Sequence, residues 1–336
     1  MKKYVFFTAA MILAGLNVSA QKEEQKFKKA FQSEHFILSG YGQAVANFSE
    51  PNSSFDVARI ILFATGRLGE KQQFGYMAMI DAGPNTAMQE MYGEYLPSDE
   101  VNIRFGQFKI PFTIENPMSA SRFETVYPSR SVSAMAGSAG DFNQFDGRGV
   151  KAGRDAGVML SGKMFHIIEY YAGLFNGTGL NTKDRDSHKD FIGTVYLQPL
   201  KGLKIGGSIY DGKISMLEDN GSILPSGNYS RRAWAAGGVY DGKHCYFRSE
   251  YVAAKTGNIN RHGYYASCVW KAAPSKWELV AKYDFFNNSM NETGDVTLGV
   301  NYYMAYLTKI QMNYIYTDDK LSGNSHAVAA QLQLFF

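Results

Sequence analysis

The sequence predicts an all-β protein, a transmembrane antiparallel β-barrel of about sixteen strands with a long inward-folding loop after strand 5. After a short leader, segments of roughly ten residues alternate apolar with polar side chains, which gives each segment one apolar face. The connections alternate between short and long, and the chain ends on an aromatic residue, Phe336. Because closure into a barrel satisfies every backbone polar group in hydrocarbon, the pattern fits a membrane-spanning wall.

The chain begins with a predicted cleaved signal peptide, residues 1–20. Lys2 and Lys3 precede an apolar stretch at 4–16, and residues 18–20 offer side chains that a signal peptidase accepts. The stretch is too short for a transmembrane helix, which takes about 20 apolar residues. No later apolar run reaches that length, so we expect the mature chain to be exported and to cross the bacterial outer membrane with strands.

Residues 21–34 are charged and do not alternate, which predicts a periplasmic lead-in before a barrel over 35–336. Turn sequences rich in Gly and Pro, such as Asp241-Gly242-Lys243, separate strands at the expected periplasmic end. With these boundaries the first strand begins near His35, and the others are predicted near 55–69, 72–83, 87–95, 100–110, 147–163, 165–175, 190–199, 202–211, 230–240, 243–256, 262–272, 275–286, 295–304, 307–317 and 326–336.

The composition is that of an exported β protein. The chain has 34 Lys and Arg against 31 Asp and Glu, and removing Lys2 and Lys3 with the leader leaves 32 against 31. Since nucleic-acid-binding domains are usually strongly basic, no nucleic acid partner is expected. Aromatic residues make up 14% of the chain, and Tyr and Phe form the interfacial girdles of barrels. An aromatic-rich soluble β-sandwich is the alternative that the composition leaves open.

The two-residue period of a strand assigns a face to each side chain. Charges are costly against hydrocarbon, so the charged face of a strand is expected to line water. About sixteen strands make a barrel wide enough for an aqueous channel. Cys245 and Cys268 fall in apolar registers, and no disulfide is predicted. The clearest strand is 275–286, with Trp277, Leu279, Ala281, Tyr283 and Phe285 on one face and Lys276, Glu278, Lys282 and Asp284 on the other.

The longest connection, 111–146, follows the fifth strand and has no periodicity, which is typical of functional loops. Folded inward it would form a constriction, where opposed charges orient polar solutes and basic residues favour anions. We expect Arg122 and Arg130 to supply that positive charge. The alternative is that the loop caps the outside or contacts a neighbouring subunit. Its charged residues are Glu115, Arg122, Glu124, Arg130 and Asp141.

Basic side chains opposite the apolar register of their strands are the candidate pore-lining residues, because the lumen suits them better than lipid. For each of them the alternative is an ion pair within the wall. The register of the two that flank the long connection depends on whether a bulge occurs there. The strand residues are Arg59, Arg104, Lys151, Arg248 and Lys282, and the flanking ones are Lys109 and Arg148.

Several stretches of the sequence resemble a known family. Residues 104–116 (RFGQFKIPFTIEN) and 154–162 (RDAGVMLSG) are similar to the GQFKxPF and RDxGvxlsG signatures of the phosphate-selective porin O and P family. Residues 171–177, 298–303 and the terminal QLQLFF match in the same order, so the resemblance covers the chain from about residue 55 to its end. It implies an outer-membrane porin, often trimeric, that passes anions or small polar solutes and attracts phosphate through inward Lys and Arg.

No motif for catalysis, a metal or a cofactor occurs in the sequence. None of the six His has HExxH spacing, and there is no Gly-x-Ser-x-Gly elbow. We therefore expect a non-enzymatic porin for passive diffusion of small polar solutes, with a preference for anions such as phosphate. The alternative is a narrow or plugged outer-membrane barrel with a structural or surface-binding role. The expected partners are outer-membrane lipid, small anions or polar solutes, and further copies of the chain in a homotrimer.

Overall fold

The computed structural model describes residues 32–33, 36–50, 52–84, 86–136, 153–184, 187–214, 218–219, 222–223, 229–272 and 276–336. Within them, sixteen strands have eight or more residues. They are β1 (Phe36–Ser49), β2 (Ser53–Leu68), β3 (Phe74–Asp81), β4 (Ala87–Tyr95), β5 (Asn102–Lys109), β6 (Arg154–Met164), β7 (Ile168–Phe175), β8 (Asp190–Leu200), β9 (Leu203–Ile214), β10 (Tyr229–Asp241), β11 (Cys245–Thr256), β12 (Ile259–Lys271), β13 (Trp277–Asn287), β14 (Glu292–Ala305), β15 (Thr308–Asp319) and β16 (Gly323–Phe335).

These strands form a closed antiparallel barrel. Each strand pairs with the next one in the chain, and β16 pairs with β1, for example through Gln333 and Gln43. The terminal Phe336 extends this seam, since its backbone N–H and C=O both bond to Gly40 at 2.9 Å. The predicted sixteen-stranded barrel is confirmed, with all ladder hydrogen bonds made between neighbouring strands.

The two ends of the barrel differ in their connections. We call the end with the β8–β9 turn at Lys201 and Gly202 the tight-turn end, and the end with the β5–β6 connection the long-loop end. Several predicted loops at the long-loop end are shorter than expected; β11 ends at Thr256 and β12 begins at Ile259. Backbone pairing continues there beyond the apolar pattern, because outward polar side chains are tolerated once the strand leaves hydrocarbon.

The segments before the barrel are described only in part. The predicted signal peptide, 1–20, lies outside the described residues, as does the lead-in up to residue 31. Gln32–Ser33 form a two-residue strand that pairs with the beginning of β1. A second short hairpin pairs Glu218–Asp219 with Ser222–Ile223.

The wall has the two faces that the period predicts. In β13, Leu279 is 49% exposed on the outer surface, whereas Lys282 and Asp284 on the inner face are 6% and 2% exposed. In β16, Leu332 and Leu334 point outward and Gln333 is fully covered inside. Cys245 and Cys268 are free and lie on the exposed side of their strands. In these strands the outer face is therefore apolar and the inner face polar, as lipid on one side and water on the other require.

Aromatic side chains ring the outer surface near both ends. At the tight-turn end Trp277 packs on Tyr302 with ring centroids 4.6 Å apart. At the long-loop end Trp234 packs on Tyr251, at 5.2 Å. Further pairs at the two ends are Phe74–Tyr95 and Tyr264–Phe285, respectively. These positions are those of the interfacial girdles that mark the limits of the hydrocarbon layer.

Helix is scarce among the described residues and falls between β5 and β6. A single 3-10 turn spans Ala120–Arg122, and one α-helix, α1, spans Arg130–Met135. Across the part of the chain that the structure describes, no helix has the length and apolar character needed to cross a membrane.

Gly106 in β5 has a backbone conformation that other residues rarely adopt, with φ at +136°, and a Cβ there would lie 2.2 Å from Met91 O. We expect Gly106→Ala to lower the free energy of unfolding in detergent micelles by about 1–3 kcal/mol. Gly42→Ala is the control, because a Cβ at that position meets nothing within 4 Å. Equal urea midpoints for the two variants would contradict this prediction.

Candidate pore and its inner segment

Residues 110–136, which we call the inner segment, lie inside the barrel against its polar wall. The segment leaves β5 and first meets β8, β9 and β11. Thr113 N donates to Ser208 Oγ at 3.0 Å, and Ile114 N donates to Glu250 Oε1 at 2.7 Å. Because these partners face the lumen, the segment runs across the inside of the barrel. The remainder of the predicted constriction loop, 137–146, lies outside the described residues.

Wall amides on β14, β15 and β16 hold the middle of the inner segment by its backbone. Each amide binds a peptide group that has no partner of its own in a strand or helix, so the contacts satisfy the buried backbone of an irregular segment. The bonds are Val126 N to Asn313 Oδ1 (2.7 Å), Asn301 Nδ2 to Glu124 O (3.0 Å), Gln311 Nε2 to Glu124 O (3.1 Å) and Gln333 Nε2 to Ser121 O (3.0 Å).

One arginine of the wall binds two acids of the inner segment. The Arg248 guanidinium lies 2.8 Å from Glu115 Oε2 and 2.7 Å from Glu124 Oε1, and the side chain is almost fully buried. Burial raises the pKa of the Glu124 carboxyl, but the attraction of Arg248, hydrogen bonds to the carboxylate and the charge of Lys282 together outweigh burial, so this pKa lies below its ordinary value. Glu124 is therefore ionised at neutral pH, and the cluster of Glu115, Arg248 and Glu124 is charged as well as buried.

Three lysines also bind the segment through its carbonyl oxygens. Lys282 Nζ donates to Tyr127 O at 3.1 Å, and Lys309 Nζ donates to Phe123 O at 2.6 Å. From the opposite side Lys109 Nζ donates to Asn116 O at 2.9 Å. These ammonium groups consequently act as anchors of the inner segment.

The two arginines expected at the constriction lie at different places. Arg130 begins α1, and its guanidinium makes a bidentate contact with Asp295 at 2.9 and 3.0 Å. Arg122 lies near the tight-turn end, where it donates to Tyr306 Oη at 3.3 Å. Neither lines the cavity described below. At both positions a side chain of the barrel binds the guanidinium.

Apolar packing fixes α1 against the wall. Val132 and Met135 of the helix are buried in a cluster inside the barrel, to which strands β5–β13 all contribute side chains. The wall contributes aromatic side chains and also small ones, which leave room for the helix. The buried wall residues of this cluster include Phe108, Phe175, Ile192, Tyr210, Ala233, Ala235, Val252, Ala254, Tyr265 and Phe286.

A cavity of about 1370 Å³ remains between the inner segment and the wall formed mainly by β1–β9. Its lining includes Asp81 and Ala87 at the long-loop end and Lys201 and Gly202 at the tight-turn end. The cavity therefore reaches from one end of the barrel to the other, and it is the candidate solute path.

Charged side chains of both signs line this cavity. Three bases are paired with wall acids at 2.8 Å: Arg104 with Glu94, Arg154 with Glu90, and Lys204 with Glu169. Arg59 is different, because it lines the cavity without a hydrogen bond or ion pair to any other described residue, and its Nε is buried. Arg59 thus places a positive charge without an ion pair beside the cavity.

The predicted site residues fall into three groups. Arg59, Arg104, Lys109 and Glu115 line the cavity, while Glu124, Arg248 and Lys282 are covered by contacts between wall and inner segment. Arg122 and Arg130 lie elsewhere, and Arg148 and Lys151 are outside the described residues. Sequence reasoning missed the cavity residues Glu90, Arg154, Glu169 and Lys204. Of these, Arg154 was within a stretch that carried the family resemblance.

No protein-family model matches the sequence, and no curated protein does. Solved structures resemble it in fold. An anion-selective porin from Comamonas acidovorans aligns with a TM-score of 0.69 at 11% identity, covering 90% of this chain and 99% of that one. Pseudomonas putida OprB aligns with a TM-score of 0.65 at 11% identity, covering 90% of this chain and 94% of that one. Salmonella typhi OmpF aligns with a TM-score of 0.62 at 11% identity, covering 90% of this chain and 98% of that one. The chain thus has the β-barrel fold of outer-membrane porins.

Proposed function

We propose that this protein is an outer-membrane porin through which small polar solutes diffuse passively. The observation that carries the proposal is the cavity of about 1370 Å³, which is lined by charged side chains and reaches both ends of the closed barrel. A polar path inside an apolar outer wall lowers the cost of moving hydrophilic solutes across hydrocarbon. In this proposal the inner segment sets the width of the path, because wall contacts hold it across the lumen.

The proposed selectivity is for anions. Arg59 supports it, since an unpaired base beside a narrow path raises the local concentration of anions. The name of the Comamonas acidovorans neighbour describes an anion-selective porin, and the sequence resemblance implies phosphate as a solute. The paired bases Arg104, Arg154 and Lys204 contribute less, because their acids offset their charge.

The proposed assembly is a homotrimer embedded in outer-membrane lipid. One similar structure, OmpT of Vibrio cholerae, is described as a trimer form; it aligns at a TM-score of 0.63 and 12% identity. The apolar outer surface and its aromatic rings support the lipid environment.

Channel formation is the direct test. We expect the purified protein to produce discrete conductance steps in a planar bilayer of neutral lipid, with reversal potentials in a KCl gradient that favour chloride. Circular dichroism and resistance to unfolding by cold SDS serve as controls for folding. A folded barrel that produces no conductance would rule out the porin proposal.

A second candidate is a narrow or plugged barrel with a structural or surface-binding role. The apolar cluster around α1 favours it, because this packing occupies part of the lumen. The same bilayer experiment separates the two candidates, since a plugged barrel would fold but not conduct.

A further inference from the structure

A basic patch lies on the outer surface of the barrel at the long-loop end of β9–β11. Lys213, Arg232 and Lys255 are exposed, while the residues before and after each of them are buried toward the lumen. All three side chains therefore point away from the barrel. Neither Lys213 nor Lys255 forms an ion pair or side-chain hydrogen bond with another described residue. Arg232 pairs with the exposed Asp211 at 3.0 Å, so these four side chains carry a net charge of two.

The strand register places like charges side by side. Arg232 of β10 is directly opposite Lys255 of β11. Lys213 of β9 is opposite Ser230, the outward-facing residue of β10 that precedes Arg232. Like charges that face each other across two strands destabilise the sheet unless an anion lies between them. Among the side chains that the structure describes in the patch, the acid Asp211 faces Arg232 from the other side and forms no ion pair with either lysine.

The patch lies immediately beyond the aromatic girdle. Trp234 is the next outward residue of β10 toward the membrane, and its ring packs on Tyr251. Tyr251 also packs on His262 of β12, with ring centroids 6.3 Å apart. Because Trp and Tyr rings mark the boundary between hydrocarbon and headgroups, the basic side chains one step further out lie at the depth of lipid headgroups.

A second sector of the rim lacks this net positive charge. At the same end of β14–β15, the exposed Lys320 is paired with Glu292, and the neighbouring Asp318 is exposed. That sector offers an anion no net positive charge. It therefore provides a matched control position.

We propose that Lys213, Arg232 and Lys255 bind the phosphate group of an anionic lipid in the outer leaflet, with the lipid's acyl chains lying along Trp234 and Tyr251. The depth of the site rests on the proposed placement in the outer membrane. Charge complementarity supports the lipid as occupant, because a phosphate satisfies both lysines and Arg232 while its chains cover the apolar surface below.

Native mass spectrometry of the full chain in neutral detergent tests the proposal, with phosphatidic acid and phosphatidylcholine of equal chain length as probes. The wild type is expected to bind phosphatidic acid in preference. The variant Lys213→Gln/Arg232→Gln/Lys255→Gln is expected to lose affinity by about a hundredfold, since each basic residue near an anionic surface contributes roughly fivefold. Lys320→Gln is the matched control and is expected to bind like the wild type.

Equal affinity of wild type and triple variant for phosphatidic acid would overturn the proposal. Displacement of the lipid by millimolar inorganic phosphate would overturn it as well, in favour of a free-phosphate site. If the triple variant fails to fold, the single variants Lys213→Gln and Lys255→Gln decide the question. Each is expected to bind phosphatidic acid with about a fivefold lower affinity.

Conductance separates this proposal from the porin proposal. The patch is outside the cavity, so the triple variant is expected to conduct like the wild type in a neutral bilayer. Lost lipid selectivity in the variant with unchanged conductance supports the lipid site. If the wild-type protein binds phosphatidic acid selectively but does not conduct, the lipid site is supported and the porin proposal is rejected.

Discussion

Arg248→Met is expected to lower the free energy of unfolding by about 3–5 kcal/mol and to raise the single-channel conductance. The substitution leaves Glu115 and Glu124 buried without their shared cation, and an unpaired buried carboxylate is strongly destabilising. The inner segment loses the contact that joins its beginning to its middle, so we expect it to leave the wall and widen the path. Urea unfolding in detergent micelles and conductance in a planar bilayer measure the two effects.

Two control variants make the Arg248 prediction specific. Arg232→Met breaks an exposed ion pair with Asp211 and is expected to cost less than about 1 kcal/mol. Glu115→Gln/Glu124→Gln combined with Arg248→Met removes the charges together and is expected to recover much of the lost stability, because no buried carboxylate is then left unpaired. If Arg248→Met unfolds at the wild-type urea concentration, the cluster does not anchor the inner segment.

Arg59→Gln is expected to reduce the permeability ratio of chloride to potassium by roughly fivefold, and Arg59→Glu to reduce it further. At a few ångströms in water, a unit charge contributes about 1 kcal/mol to the energy of a passing ion, which corresponds to that factor. The effect falls on selectivity because Arg59 lines the cavity without an ion pair to a described residue. Reversal potentials in a KCl gradient provide the measurement.

A paired base gives the matched control for Arg59. Glu94→Gln/Arg104→Gln removes an ion pair from the same wall without changing the net charge, so its reversal potential is expected to match the wild type. The Arg59 effect is also expected to weaken at high salt, because mobile ions screen exposed charges. An unchanged reversal potential in Arg59→Glu would exclude this residue from anion selection.

Strand number, order and facing could be predicted from the sequence. The alternation that sets Leu279 against Lys282 is local, and it is imposed by lipid on one side of the wall and water on the other. Closure between β1 and β16 follows from the same physics, since an open edge cannot exist in hydrocarbon. Loop lengths were predicted less well, because strand pairing at the rim continues where the apolar pattern has ended.

The roles of the inward charges could not be predicted in this way. Arg248 and Arg59 have the same register signal, yet one is buried between Glu115 and Glu124 and the other lines the cavity. The acids that bind Arg248 lie more than a hundred residues away along the chain. Glu124, for example, is 124 residues from Arg248 in the sequence.

The sequence by itself determined a barrel with a polar inside, because a two-residue period needs only neighbouring residues and two solvents. The tertiary structure decided which inward bases hold the inner segment and which line the cavity. That choice depends on where an aperiodic segment lies inside the closed wall, and therefore on contacts between residues that are far apart in the chain.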